Sequence, residues 1–103
     1  MKMTPAQILL QIHLRELGIQ TMPEYRFCSR QWRFDLVALD RRLAFEISGG
    51  NYTGGHRRGK AQEDEYDKLN TAQLMSWKVL QFTNRQVLRG EAKKFIESWV
   101  SKP

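Results

Sequence analysis

Two short apolar runs, each carrying one acid, constrain this chain more than any other feature. Residues 34–39 (FDLVAL) contain Asp35, residues 43–47 (LAFEI) contain Glu46, and the polar turn 40–42 (DRR) separates them. Apolar runs of this length on either side of turn residues predict a β-hairpin. The chain is therefore expected to hold two acids in adjacent strands that are otherwise built for a core.

The two acids can meet because side chains alternate between the faces of a strand. Asp35 is expected opposite Phe34, Leu36 and Ala38, and a hairpin can bring it beside Glu46. Two converging carboxylates in apolar surroundings repel unless a cation neutralises them. Mg²⁺ suits such oxygen ligands and usually takes one or two carboxylates plus phosphate oxygens. The pair therefore predicts a site for Mg²⁺ (or Mn²⁺) of the kind that cleaves phosphodiesters.

The same stretch resembles a known group of nucleases. An acid on one strand, followed by Glu-x-Lys or a variant on the next, is the signature of the PD-(D/E)XK nuclease superfamily. The run WRFDLVALDRRLAFEISGG, followed by HRRGK, DKLN and WKVLQFT, is similar to its small phage and bacterial endonuclease branch. That branch is akin to Vsr-like mismatch nucleases and VRR-NUC-type (Holliday junction resolvase-like) nucleases. The resemblance covers roughly residues 24 to 87.

The resemblance implies a fold and an activity. The fold is a mixed α/β, restriction-endonuclease-like αβββαβ core with an N-terminal and a C-terminal helix, in one domain spanning residues 1–103. The activity is that of a Mg²⁺-dependent DNA endonuclease. Structure-specific cutting of branched DNA by a homodimer is favoured, because so small a domain has little surface for reading bases and a dimer makes paired nicks. A Vsr-like mismatch or strand-nicking enzyme and a catalytically decayed DNA-binding subunit are the alternatives.

The resemblance also implies roles for residues around the hairpin. Asp35 and Glu46 match the metal-binding acids, and the backbone carbonyl of Ile47 is expected to complete the metal shell. Ser48 stands at the signature lysine position, where a short uncharged side chain cannot replace an ammonium group. Glu24, on the strand predicted before the hairpin, can supply a third carboxylate or form a salt bridge with a nearby arginine.

Three cations can compensate for the missing lysine. Lys68 is favoured, because it lies on the following predicted helix and its long stem can carry the ammonium group along the core edge to the acids. Lys60 and His56 lie where a glycine-rich loop meets that helix, nearer the backbone phosphates. His56 can alternatively serve as the general base, as in Vsr-like enzymes, since a free histidine titrates near neutrality.

Charge placement predicts a polyanionic partner. The net charge is +6, and basic residues gather around the two acids, whereas acidic residues gather at 63–67. Arg33, Arg57, Arg58 and Lys60 are expected to bind DNA phosphates, which contribute affinity without sequence information. A merely solvated basic face is the alternative.

The rest of the chain completes the order α-β-β-β-α-β-α. Predicted elements besides the hairpin are a helix from Thr4-Pro5 to Gly18, a strand at 24–28, a helix at 60–76, a strand at 77–82 and a helix at 91–100. The last helix is expected to turn Phe95, Ile96, Trp99 and Val100 inward. No apolar run reaches the length of a membrane span, and no signal-peptide pattern opens the sequence, so a cytoplasmic location in a bacterial or phage-infected cell is expected.

Overall fold

The structure, a computed structural model, describes residues 3–48 and 59–100. Its elements in chain order are α1 (Pro5–Glu16), β1 (Met22–Arg26), β2 (Arg33–Ala38), a 3-10 turn (Leu39–Arg41), β3 (Leu43–Ser48), α2 (Lys60–Leu74), β4 (Lys78–Thr83), α3 (Asn84–Leu88) and α4 (Glu91–Val100). The predicted order of elements is confirmed, and α3 is an addition that the sequence analysis missed. Within the described ranges, no helix combines the length and apolarity that crossing a bilayer requires.

The four strands form one mixed sheet in the order β1-β2-β3-β4. β2 is antiparallel to both β1 and β3, so the predicted hairpin is present, and β4 runs parallel to β3. With these directions, β2 begins at the end of the sheet where β1, β3 and β4 finish. We call this the acidic end, because it carries Asp35 near the start of β2 and Glu46 near the end of β3.

Helices cover both faces of the sheet. One face packs against α1, α3 and α4 through the buried residues Leu10, Leu14, Val87, Ala92 and Ile96. The other face packs against α2, which buries Ala72 beside Val37 and Ala44. α2 contributes little else to the core, since Ala72 and Lys68 are its buried residues. The first half of the helix is mostly exposed and polar.

Helix α1 begins and ends where local signals predict. The Thr4 side chain accepts a hydrogen bond from the Gln7 N–H, the Gln7 side chain accepts one from the Thr4 N–H, and Pro5 occupies the first turn. This reciprocal capping box satisfies two backbone donors that a helix start leaves unpaired. At the other end Gly18 has φ of 81°, a conformation that glycine adopts without strain.

The predicted alternation of side chains is wrong at the start of β2. Leu36 and Ala38 face α1, as expected together, but Phe34 packs in the cluster on the α2 side with Val37. Stacking on Phe27, with ring centroids 4.4 Å apart, holds it there. Local aromatic packing therefore overrides the period-two pattern directly before Asp35.

The predicted inward face of α4 is confirmed for Ile96 and Val100, which pack in the core, but is wrong for its two aromatic residues. Ala92 and Ile96 are its buried residues, whereas Trp99 is 61% exposed and Phe95 is 46% exposed. Phe95 contacts the sheet at Phe82, and the two rings meet in an edge-to-face arrangement with centroids 5.9 Å apart. The helix thus turns its small and branched residues to the core and leaves its aromatic residues on the flank.

Candidate active site

Asp35 and Glu46 are tied to each other's strands at the acidic end. The regular β2–β3 pairing reaches Leu36 and Phe45, and beyond that pair the two acids bridge the strands. The Ile47 N–H donates to Asp35 Oδ2 at 2.8 Å, and the Asp35 N–H donates to Glu46 Oε2 at 3.0 Å. Backbone bonds of this kind fix both carboxylates in place, so the structure brings the two acids together.

Lys68 carries its ammonium group from α2 to this pair. Its Nζ donates to Glu46 Oε1 and lies 5.1 Å from the centroid of the Phe34 ring. The residue is 8% exposed, and Ala72, one helical turn later, lies on the same buried side of α2. An ammonium group so removed from water requires a charged or hydrogen-bonding partner. Glu46 supplies that partner, and Lys68 in turn neutralises one of the two acids.

Burial changes the proton affinity of both carboxyl groups. It raises the pKa of Glu46 to about 7, although the charge and hydrogen bond of Lys68 oppose the rise and the charge of Asp35 adds to it. Burial also raises the pKa of Asp35; the hydrogen bond from Ile47 opposes this, and the charge of Glu24 adds to it. Both acids therefore hold protons more tightly than free carboxyl groups when no other cation is present.

A third acid, Glu24, is held beside Asp35 by a buried glutamine. Neighbouring pairs in the β1–β2 register place Glu24 opposite Asp35, and its φ of 51° lies in the left-handed region that L residues seldom adopt. Gln7 Nε2 donates to Glu24 Oε2 at 2.9 Å and, at 3.4 Å, to the backbone carbonyl of Asp35. Among the described residues Glu24 forms none of the arginine salt bridges that the sequence allowed.

Gln7 is the site residue that the sequence analysis did not single out. It is 4% exposed, which is rare for a glutamine and requires that its polar atoms be paired. The spacing Thr4-x-x-Gln7 was a visible signal of a helix cap. That signal accounts for Gln7 Oε1, but the contact of its amide nitrogen with residues 24 and 35 depends on how α1 lies across the sheet.

The donor chemistry suits Mg²⁺ or Mn²⁺ at Asp35 and Glu46. Carboxylate oxygens are hard ligands, and a Mg²⁺ ion that keeps several waters needs only one or two of them. Among the described residues, no set of three or more His, Cys, Asp and Glu side chains is arranged to hold an ion. Gln7 engages one oxygen of the Glu24 carboxylate, and a role for Glu24 as a third ligand stays a prediction.

Three other predicted site residues lie at or near the ends of β3 and α2. Ser48 ends β3 in an exposed position, in register with Thr83 of β4. Ile47 offers its N–H to Asp35, and a role for its carbonyl in metal binding stays a prediction. Lys60, the first residue of α2, is exposed and lies 3.7 Å from Asp64.

The remaining predicted cations divide between described and undescribed parts of the chain. Arg33 is exposed at the start of β2, two residues before Asp35. His56, Arg57 and Arg58 lie outside the described residues. Their roles as general base and phosphate ligands stay predictions.

Comparison with known proteins identifies a related fold. No family model matches the sequence, and no curated protein is significantly similar to it. Among solved structures, the chain is similar to the catalytic domain of the homing endonuclease I-Bth0305I, with a TM-score of 0.72 and 18% sequence identity. The alignment covers 95% of this chain and 96% of that domain. At this identity the likeness shows a shared fold.

Proposed function

We propose that this protein is a metal-dependent DNA endonuclease. The observation that carries the proposal is the reciprocal bonding of Asp35 and Glu46 between two strands, with the Lys68 ammonium group against Glu46. A pair of converging acids can hold Mg²⁺ beside a phosphate, and a neighbouring buried cation can stabilise the charge that develops during phosphodiester hydrolysis. The proposal is supported by the fold, which is shared along nearly the whole chain with the catalytic domain of a homing endonuclease.

In the proposed reaction each of the three side chains has a task. Asp35 and Glu46 are the residues that would hold Mg²⁺ or Mn²⁺, and the ion when bound supplies Lewis-acid stabilisation of charge on the phosphate. Lys68 orients the attacking water and offsets negative charge as the phosphate becomes five-coordinate. Its buried stem and its contact with Phe34 keep the ammonium group in one place, so little reorganisation accompanies the reaction. Lys68 thus takes over the task of the lysine that Ser48 replaces in the signature.

We further propose branched DNA as the preferred substrate and a homodimer as the active form. Branched DNA is proposed because this domain leaves little surface for reading base edges once the site is built, and a homodimer because paired cuts need two active sites. Recognition through phosphates and DNA shape requires less surface. Two copies related by a two-fold axis would cut the two strands of a junction in pairs. A monomer that nicks duplex or mismatched DNA is the alternative within the same reaction class.

A cleavage assay tests the proposal. The purified protein is incubated with supercoiled plasmid, a four-way junction, a flap and a mismatched duplex, each with Mg²⁺, Mn²⁺ or EDTA. We expect metal-dependent cleavage that is fastest on the junction. Asp35→Asn and Glu46→Gln should lower the single-turnover rate by at least about a thousandfold, as loss of a principal charge-stabilising group does. Asp40→Asn, in the exposed turn at the other end of the hairpin, is the matched control and should cut normally.

The same assay separates the proposal from its rivals. DNA binding without cleavage under any metal would leave a decayed DNA-binding subunit. If Lys68→Met cuts as fast as the unmodified protein while His56→Ala is inactive, a histidine is the base, as in Vsr-like enzymes. Cleavage by Asp35→Asn at the full rate would place the active site elsewhere.

A further inference from the structure

The connection between β1 and β2 forms a basic projection at the acidic end of the sheet. We call residues 26–33 the arginine arm, because it carries Arg26, Arg30 and Arg33 and contains no acid. All three arginines are exposed, and none forms an ion pair with a carboxylate in residues 3–48 and 59–100. The positive charge of the arm is therefore not offset by the described part of the protein, and it lies beside the strand that carries Asp35.

The arm is held in shape by its own side chains. Arg26 Nε donates to the carbonyl of Arg30 at 2.8 Å, and its Nη2 donates to the carbonyl of Ser29 at 2.7 Å. The Arg30 guanidinium lies 4.3 Å from the centroid of the Trp32 ring. Stacking occupies the flat face of a guanidinium and leaves its N–H donors, which lie in the plane, directed outward. Arg30 is thus held against Trp32, and its guanidinium forms no ion pair with a carboxylate in the part of the chain that the structure describes.

An aromatic column connects the arm to the active site. Trp32 stacks on Phe27 with centroids 6.4 Å apart and planes at 15°, and Phe27 stacks on Phe34 at 4.4 Å and 19°. Phe34 also contacts the Lys68 ammonium group, which lies 5.1 Å from its ring centroid. Phe27 and Phe34 are buried, so the column is part of the core on the α2 side. The position of Arg30 is therefore fixed relative to Lys68 through packed rings.

We propose that the arginine arm is a preformed binding surface for DNA phosphates, with Arg30 and Arg33 as phosphate ligands and Arg26 and Trp32 as positioning residues. This inference rests on the proposed function and adds the path of the substrate: the backbone flanking the cleaved bond lies across the β1–β2 connection. Charge selects a polyanion, and planar guanidinium groups suit phosphate oxygens, which they can bind with two hydrogen bonds. Because the column orders the arm before DNA arrives, binding loses less conformational freedom.

Salt-dependent DNA binding tests the arm directly. Anisotropy with a short labelled duplex is measured in EDTA, so that no cleavage occurs, over a series of KCl concentrations. Arg30→Ala/Arg33→Ala should weaken binding and reduce the slope of log K against log salt by roughly 1.8, since each lost phosphate contact contributes about 0.9. The control, Arg15→Ala/Arg41→Ala, removes the same charge from exposed positions at the opposite end of the molecule and should keep the slope. Circular dichroism confirms that each variant is folded.

A variant that keeps all the charge tests whether the arm is preformed. Trp32→Leu removes the ring on which Arg30 lies, and we expect a several-fold loss of affinity with no change in net charge. If the double arginine variant keeps the original slope while the unmodified protein binds and cuts DNA, the arm is not the interface. If Trp32→Leu binds as tightly as the unmodified protein, the column does not organise the arm. Failure of the proposed function is a separate result, namely an unmodified protein that neither binds nor cuts DNA.

Discussion

The Asp35 carboxyl group is removed from water beside a second acid, Glu46, and close to a third, Glu24. Its pKa in the folded protein lies above the ordinary value of 3.8, mainly because of burial. The neutral form therefore stabilises the fold at low pH, and that stability is lost as the pH rises through the folded-state pKa. A residue of the same shape that cannot ionise should avoid the loss.

Asp35→Asn should therefore raise the free energy of unfolding of the metal-free protein at pH 8, and much less at pH 4. The amide oxygen can still accept the hydrogen bond from Ile47, so the contact between the strands is kept. Urea unfolding in EDTA at the two pH values measures the effect. Asp40→Asn, at an exposed turn position, should show no comparable pH-dependent gain. Equal behaviour of the two variants would mean that burial of Asp35 carries no penalty.

The contact between Lys68 and Glu46 supports a second prediction at this scale. Lys68→Met keeps the apolar stem but leaves the Glu46 charge buried without a partner, which should destabilise the protein by about 1–3 kcal/mol at pH 8. The loss should shrink at pH 5, because the pKa of Glu46, already about 7, rises further when the ammonium group is absent. Glu46→Gln in the Lys68→Met background should restore most of the stability. A double-mutant cycle from urea unfolding measures the coupling, and additive effects would exclude it.

At the scale of helices and strands, the sequence predicted what is determined locally. The caps of α1, the turn of the hairpin and the periodic runs of the later elements are all encoded within a few residues. One missed feature is itself local, because α3 follows a second capping box, Thr83 with Gln86. The corrected position of Phe34 depends on distant packing. Phe34 leaves its expected face because Phe27 and Trp77 offer it an aromatic cluster.

The residues of the candidate site also fall into two groups: those that the local sequence indicates and those that only tertiary contacts bring to the site. Asp35 and Glu46 were identified because an acid in an apolar strand is unusual whatever the fold, and Lys68 because its helix follows the strand. Gln7 was missed, since its partners are 17 and 28 residues away and only the docking of α1 on β1 and β2 brings them together. The contact of α1 with the acids is therefore information that the tertiary structure adds.

Two capping boxes of the same composition allow the role of Gln7 to be separated from helix capping. Gln7→Glu keeps an acceptor for the Thr4 N–H, because glutamate is as good as glutamine at this position. It replaces the amide donor that faces Glu24 by a second negative charge, and should lower the free energy of unfolding by about 1–3 kcal/mol at pH 7. Gln86→Glu makes the same change in the α3 cap, where the glutamine has no hydrogen bond to an acid among the described residues, and should stay within about 0.5 kcal/mol of the unmodified protein.

A compensating change completes this test of α1. In the Gln7→Glu/Glu24→Gln variant the donor and the acceptor exchange places, so the hydrogen bond can form again and the stability should return. If Gln7→Glu is no more destabilising than Gln86→Glu, the amide nitrogen of Gln7 contributes nothing to holding β1. Unfolding by urea, followed by circular dichroism, distinguishes these outcomes.

At the scale of the whole molecule, strand directions bring the chemistry to one place. Because β2 begins where β1, β3 and β4 end, the sheet end that carries Asp35 and Glu46 also carries the arginine arm. Helix α2 runs back from that end. Its middle residue, Lys68, contacts Glu46 at the acidic end. At the opposite end of the hairpin, Arg42 donates a hydrogen bond to the carbonyl of Met75, which follows the helix. The acids at which we propose that a divalent cation binds thus lie at the same end of the sheet as the three arginines of the arm.

Binding of that cation should be visible as stability of the whole fold, independent of any DNA substrate. A ligand that binds only the native state adds RT ln(1 + [L]/Kd), about 1.4 kcal/mol when its concentration is ten times Kd. In a domain of this size such a gain corresponds to roughly 6–11 °C in Tm.

We expect Mg²⁺ and Mn²⁺ to raise the Tm at pH 8 and to have a smaller effect at pH 6, because burial raises the pKa of Glu46 to about 7 and protons then compete with the ion. Differential scanning fluorimetry with MgCl₂, MnCl₂ and a KCl control of equal ionic strength measures the shift. Glu46→Gln should lose it and Asp40→Asn should keep it; an equal shift in both would show that the ions act elsewhere on the protein.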